Sequence, residues 1–301
     1  MADQLIPFLF ERLPIRGAVV SLTHTWQEVA KRHAFPAPIE AALGEMMAAS
    51  ALLSATLKRE GALVMQIHAE PGSGSHAPLE LVVVECKADL TLRATAKWSR
   101  TQLIAAGASP RALVGEGRFV ITLDAGDQKT AYQGIVPLEG ETISTWLTHY
   151  MRASEQLETG LWLASSGDCA AGLLLQRLPN TGGSAALLPD AEVDEAWHRI
   201  TTLAATVRPD ELLGLDGETL LNRLFHEDVK ADGLRVFERR ATRFGCSCNS
   251  DRVASMLRML GRSEVDSVIA EQGAVTVHCN FCNQGYAFEE RDVARVFAPM
   301  H

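Results

Sequence analysis

The sequence predicts an α+β fold: a large N-terminal domain of mixed helices and strands, then a helical linker, then a small C-terminal module. Three observations carry that reading. Between residues 62 and 178, seven strand-like runs rich in branched residues surround one substantial helical pattern. From 179 to 233 the chain turns acidic, with 11 Asp and Glu against 4 Arg and Lys. Near the C-terminus stand two close cysteine pairs, Cys246 and Cys248 in FGCSC and Cys279 and Cys282 in HCNFC, separated by 30 residues. Two thiol pairs across such a gap are what a tetrahedral zinc site uses. The last module is therefore predicted to be zinc-binding, one Zn²⁺ per chain on all four sulfurs.

At 301 residues the chain has room for one large and one small domain. Its composition, 47% hydrophobic and 22% charged, is that of an ordinary globular protein. The formal net charge of −9 disfavours non-specific binding to nucleic acid or to anionic membranes. The opening MADQLIPFLFERLPIRG lacks the basic start and long apolar run of a signal peptide. The most apolar stretch, 41–57, contains Glu45 and many small residues, and reads as a buried helix rather than a membrane span. Six cysteines, four in metal spacing, with no export signal, point to the reducing cytosol, so a cytoplasmic location is expected.

In order, Trp26 to His33 reads as a short helix closed by Pro36 and Pro38. Pro38 then suits the first turn of a long helix running to Lys58, with Gly61 as its stop. Gly44, Ala48, Ala51 and Ala55 form a small-residue stripe, the mark of a closely packed neighbour. The strands ALVMQIHAE, LELVVVECK, LTLRATAKW, RFVITLDAG and TAYQGIVPL follow. GSGSHA at 72–77 imitates a dinucleotide fingerprint, but Pro78 and a strand follow where that fingerprint needs a helix. GEG at 115–117 fails on the same ground. A helix over 141–156 and the strands GLWLAS and AGLLLQRL complete a domain of residues 1–178. Cys86 and Cys169 lie in or beside these apolar runs and read as inert buried thiols.

LPNTGGSAALLPD opens the linker, residues 179–233. One helix there carries Val193, Trp197, Ile200, Ala204 and Val207 on a face, and another carries Leu220, Leu221, Leu224 and Phe225. Such helices must lie on a neighbour. They read either as an ordinary helical hairpin or as a weakly held cover loosened by like-charge repulsion.

Residues 234–301 form the predicted small module, with 9 Arg against 8 Asp and Glu. LRVFERRATRF reads as a strand leading into Cys246, so that CSC at its end aims both sulfurs one way. Asn249 or Ser250 caps a helix ending at Gly261, and a capping box of Ser263 and Asp266 opens the next, which stops at Gly273. The strand AVTVH delivers Cys279, and CNFC leads through a turn into a second strand. A thioredoxin-type pair would open a helix instead, which disfavours a thiol–disulfide oxidoreductase. Four thiolates leave no open position for water, which disfavours a zinc hydrolase; no enzymatic role is expected. The near-neutral charge gives little support to a nucleic-acid ribbon.

Zinc keeps cysteines as thiolates, the form that oxidants attack. If oxidised, each close pair can bridge itself. Such bridges close loops of three or four residues, whereas the metal ties segments 30 residues apart. That tie is worth roughly 3 kcal/mol of chain entropy, and metal binding adds ~10 kcal/mol or more to a metal-dependent fold. Oxidation would therefore unfold the module, which makes a switch possible without establishing one. A purely structural zinc site serving another binding function stays open at this point.

The run from FGCSCNSDRVASMLRMLGRSEVD to HCNFCNQGYAFEERDV resembles the C-terminal zinc module of the redox-regulated heat-shock chaperones of about 33 kilodaltons. IRGAVVSL, LGEMMAASALLSATLK, LVGEGRFVITLD, YQGIVPLEGETI, AGLLLQRLP and LLNRLFHE extend the resemblance over nearly the whole chain. It implies an ATP-independent holdase, inactive while its four cysteines hold zinc. It implies that oxidation forms Cys246–Cys248 and Cys279–Cys282 disulfides and unfolds module and linker. The oxidised protein would then dimerise and hold unfolding client proteins. On this resemblance residues 179–233 become a metastable cover rather than a plain hairpin. No role carries over to Cys86 or Cys169.

Overall fold

The computed structural model describes residues 2–56, 61–70, 77–124, 132–179 and 188–298. The chain divides into two compact units, Met1–Phe244 and Gly245–His301. The expected helix end at Lys58, the glycine-rich stretch at 72–76 and most of the linker-like run, 180–187, lie outside the described residues.

The larger unit opens with the hairpin β1 (Gln4–Phe10) and β2 (Ile15–Leu22), then α1 (His24–Ala30) and α2 (Ala37–Thr56). β3 (Ala62–Ala69), β4 (Leu79–Lys87) and β5 (Thr91–Trp98) follow, with the short α3 (Pro110–Val114) before β6 (Gly117–Asp124) and β7 (Tyr132–Val136). α4 (Ile143–Ala153), β8 (Thr159–Ser165) and β9 (Ala170–Arg177) complete the part read from sequence as the first domain. One sheet runs β1-β2-β9-β8 and the other β5-β4-β3-β6-β7, all antiparallel.

α2 packs against strands of both sheets. It is buried over most of its length, which is why its apolar residues show no single face. The small-residue stripe does what its spacing predicts. A Cβ on Gly44 would stand 2.0 Å from Ser165 Oγ, so α2 approaches β8 and β9 closely only there because the residue is glycine.

β1 and β2 escaped the strand reading, because Pro7 and Gly17 interrupt their runs. β2 is almost continuously buried, and so is β9, because their sheet is covered on both faces. Leu5, Ala18, Val20 and Leu174 face the core built around α2. Phe8, Phe10, Ile15, Val19, Leu173 and Leu175 face the opposite way, as period-two geometry requires.

That second face is covered by α5 (Asp190–Ala204), α6 (Pro209–Gly214) and α7 (Gly217–Asp228). α6, too short to show a period, went unpredicted. A π-helical turn, Val229–Gly233, follows. β10 (Leu234–Val236) and β11 (Arg240–Ala241) then pair with β1, and β12 (Arg243–Phe244) pairs in parallel with β5. Residues 234–244, read from sequence as one strand of the small module, are thus three short strands of the larger unit. The free edges of β1 and β5 offer the backbone partners that draw them there, a non-local pairing that sequence pattern does not encode.

The smaller unit holds α8 (Ser250–Leu260), α9 (Arg262–Gln272), the hairpin β13 (Ala274–His278) and β14 (Gly285–Glu289), and α10 (Glu290–Val296). Its core is small: Leu257, Val265, Val275, Phe288 and Val293 are the centre of it. The predicted capping box at Ser263 is not formed. α9 starts two residues earlier, with Gly261 at its cap, and Asp266 pairs with Arg262 at 3.2 Å instead. Gly273 stops α9 in the left-handed region, at φ 77°.

Candidate metal centre

Cys246 and Cys248 lie in an irregular segment between β12 and α8, not on a strand end. The segment is shaped by side-chain caps. Asn249 Oδ1 accepts the Arg252 N–H at 2.9 Å, opening α8, and Arg252 donates to Ser247 Oγ at 2.6 Å. Cys279 follows the last residue of β13, and Cys282 sits in the turn before β14. That turn is a knuckle: the Cys279 N–H donates to Gln284 O at 2.9 Å and the Asn283 N–H to Cys279 O at 2.8 Å. Asn283 takes φ 56°, a left-handed conformation that Asn tolerates better than most side chains. No helix follows CNFC directly, as the sequence predicted.

The two segments bring four reduced thiols together. Cys246 and Cys279 are 3.7 Å apart at sulfur, Cys248 and Cys282 3.3 Å, and all four sulfurs lie within 4.8 Å of one another. A tetrahedron with zinc–sulfur bonds of about 2.3 Å has edges of about 3.8 Å. The donor set therefore fits a single soft divalent ion, and the four cysteines could hold one.

One contributor was not legible as such in the sequence. Tyr286, on β14, donates its hydroxyl to Cys248 Sγ at 3.1 Å. Its signal was the strand residue two places beyond the turn, on the face that meets the sulfurs. Desolvation alone would raise the Cys248 thiol, but the hydrogen bonds from Tyr286 and the neighbouring thiols outweigh it and bring it down to about 7. Cys282 moves the other way, raised by desolvation and by sharing its proton with its neighbours. The cluster thus favours one thiolate and resists the loss of a second proton. Redrawing the module at Gly245 leaves it 5 Arg against 7 Asp and Glu, which weakens a nucleic-acid role further.

Cys86 and Cys169 differ in kind. Both are buried in the larger unit and pushed up by desolvation, Cys86 to about 11. Cys169 Sγ lies 3.7 Å from the backbone carbonyl of Leu213, touching the end of α6.

The cover on the first sheet is the second functional element. Phe225 packs its ring 5.5 Å from Phe10 and 6.3 Å from Phe8, centroid to centroid. Ile200, Leu220, Leu221 and Leu224 share its buried cluster, and Val193 is buried too, as their helical spacing predicted. Its polar ties include Arg223 of α7 pairing with Glu211 of α6 at 2.5 Å and Arg239 pairing with Glu218. Arg199 holds buried Asp228 at 2.7 Å, joining α5 to α7, and Arg177 of β9 holds Asp194 at 2.7 Å. No helix among the described residues is long and apolar enough to cross a membrane.

Fold and site together define an α+β unit with a helix-covered sheet, followed by a four-thiol module suited to a metal. The family model described as Hsp33 protein matches residues 3–289. A "33 kDa chaperonin" of Chromobacterium violaceum is 46% identical over 297 residues, spanning 98% of this chain and 94% of that one. Another, of Methylobacillus flagellatus, is 46% identical over 298 residues, spanning 99% and 95%. A crystal structure of the 33 kDa chaperonin (heat shock protein 33 homolog) of Thermotoga maritima shares the fold, with a TM-score of 0.79 at 20% identity over 98% of this chain and 97% of that one. The chain belongs to the Hsp33 protein family.

Proposed function

We propose that this protein is a redox-regulated, ATP-independent chaperone, a holdase that is silent while its four cysteines hold zinc and active once they are oxidised. The observation that carries the reading is the four-sulfur cluster, in a chain whose relatives are named chaperonins. Cys246, Cys248, Cys279 and Cys282 are its ligands, one Zn²⁺ per chain. When bound, the ion would hold the four sulfurs as thiolates, offset half of their charge and tie together two segments whose own core is small.

Oxidation by peroxide converts Cys246 and Cys248 to one disulfide and Cys279 and Cys282 to another. In each, two thiolates surrender two electrons to one hydrogen peroxide, which takes up two protons and leaves as two waters. The new bonds are local and do not span the 30-residue gap. The small module then loses its order, and the acidic cover of α5, α6 and α7 loosens with it. The face bearing Phe8, Phe10, Leu173 and Leu175 is what the cover hides. Uncovered, such a face binds apolar segments of unfolding proteins or pairs with a second oxidised copy. The net charge of −9 helps the opened form stay dispersed. Action in the cytoplasm, where oxidation is the exceptional condition, suits a switch of this kind.

The test compares zinc-loaded and peroxide-treated protein against a heat-denatured client without ATP. Only the oxidised form should suppress aggregation. Zinc release without any gain in holding activity would return the site to a structural role.

A further inference from the structure

Two cavities in the larger unit meet at Arg16 and Thr56. One, of about 260 Å³, is walled by Leu53, Leu63, Ile121 and Met151. The other, of about 240 Å³, lies against Phe8, Ala55, Leu174 and the half-exposed Phe237. Together they fall within the ~300–1,000 Å³ of small-molecule sites, and like most such sites they are apolar with a few polar groups.

Arg16 stands on β2 and is only partly exposed. Its Nε and Nη2 both donate to the same neutral atom, Oε1 of buried Gln176, at 3.0 and 2.8 Å. A guanidinium has five N–H donors, so this single acceptor leaves capacity unused. Among the described residues Arg16 makes no ion pair. A cation half withdrawn from water without a counter-charge is costly unless something supplies that charge. Burial accordingly lowers its pKa. The carboxylate that lines the first cavity, Glu155, is engaged elsewhere, accepting the Tyr150 hydroxyl at 3.0 Å.

We propose that this double cavity is a binding site for an amphipathic monocarboxylate, its carboxylate on Arg16 and its apolar chain between Leu53, Leu63, Ile121 and Met151. The planar guanidinium matches a carboxylate through two parallel N–H donors. One arginine suits a monoanion better than a phosphate dianion, and an ammonium ligand would meet it with like charge.

Titration calorimetry on the reduced, zinc-loaded full chain tests this with octanoate as probe, beside octanol and octylamine. Reduced protein avoids binding to apolar surface exposed by oxidation. Octanoate should bind saturably, one per chain, with octanol and octylamine much weaker. Arg16→Gln should weaken octanoate about tenfold or more, the scale of a hydrogen bond to a charged group. Leu123→Phe, which fills the first cavity, should block it while Arg16 stays in place. Octylamine binding as tightly as octanoate would assign the polar role to Glu155 and overturn the proposal. So would unsaturable octanoate binding, or equal binding by wild type and Arg16→Gln. Should Arg16→Gln fail to fold, unchanged octanoate affinity in Leu123→Phe overturns it equally.

Discussion

Tyr286 reaches Cys248 with its hydroxyl, so its removal separates the tuning of the cluster from the ligands themselves. Tyr286→Phe keeps the ring and is expected to weaken zinc binding about tenfold, the low end for partners that orient a metal ligand. A competition titration with a chromogenic chelator reads this directly. Cys279→Ser removes a soft ligand outright and should abolish stoichiometric zinc; a Cys279→Ser protein still holding one ion per chain would exclude the four-cysteine site. Glu45 adds a pH dependence of its own in the larger unit. Glu45 sits on α2 among small residues, with no hydrogen bond or ion pair among the described residues, and desolvation pushes its carboxyl up to about 7. A raised folded-state pKa means the fold prefers the protonated form. Its contribution is complete below the ordinary carboxylate range and is lost as pH rises through about 7. Glu45→Gln should therefore be about 2–3 kcal/mol more stable than wild type at pH 8 and nearly equal to it at pH 4. Urea unfolding at the two pH values checks the sign.

The cover helices are the element on which the proposed switch turns. Phe225 anchors α7 between Phe8 and Phe10, and the helix backbone kinks at that residue, φ −127° and ψ 23°. Phe225→Ala removes about 3–5 kcal/mol of packing from the cover, leaving α2 and the second sheet untouched. Amide hydrogen exchange should show residues 190–228 opening faster in this variant, even with zinc bound, while β3 to β6 keep their protection. In wild type the same order should hold more weakly, since the cover carries the excess negative charge. Equal protection of cover and sheets in the oxidised, zinc-free protein would count against a releasable cover.

At the scale of the whole molecule, the proposed function couples metal, order and exposed apolar surface, so all three should move together. Peroxide with mild heat is expected to release zinc, raise the binding of a hydrophobic dye and suppress client aggregation. Reductant with added zinc should reverse each. The same treatment should produce a dimer by sedimentation, and the larger unit's second sheet should stay protected throughout.

Much of this was legible from residues alone. The cysteine spacings named all four members of the cluster, because short-range spacing dictates which sulfurs one turn can present. The runs over β3 to β9 were readable because apolar and branched residues stand between turn residues, and the apolar faces of α5 and α7 because they repeat with helical period. β1 and β2 were not, since Pro7 and Gly17 interrupt their apolar runs and read as strand breakers. Nor did residues 234–244 show that they would leave the small module to pair with β1 and β5. Tyr286 on Cys248, Arg16 between two cavities and the desolvated carboxyl of Glu45 were likewise decided by tertiary structure. Local pattern is written in neighbouring residues, whereas pairing, burial and the fate of a charge depend on groups the chain brings together from far apart.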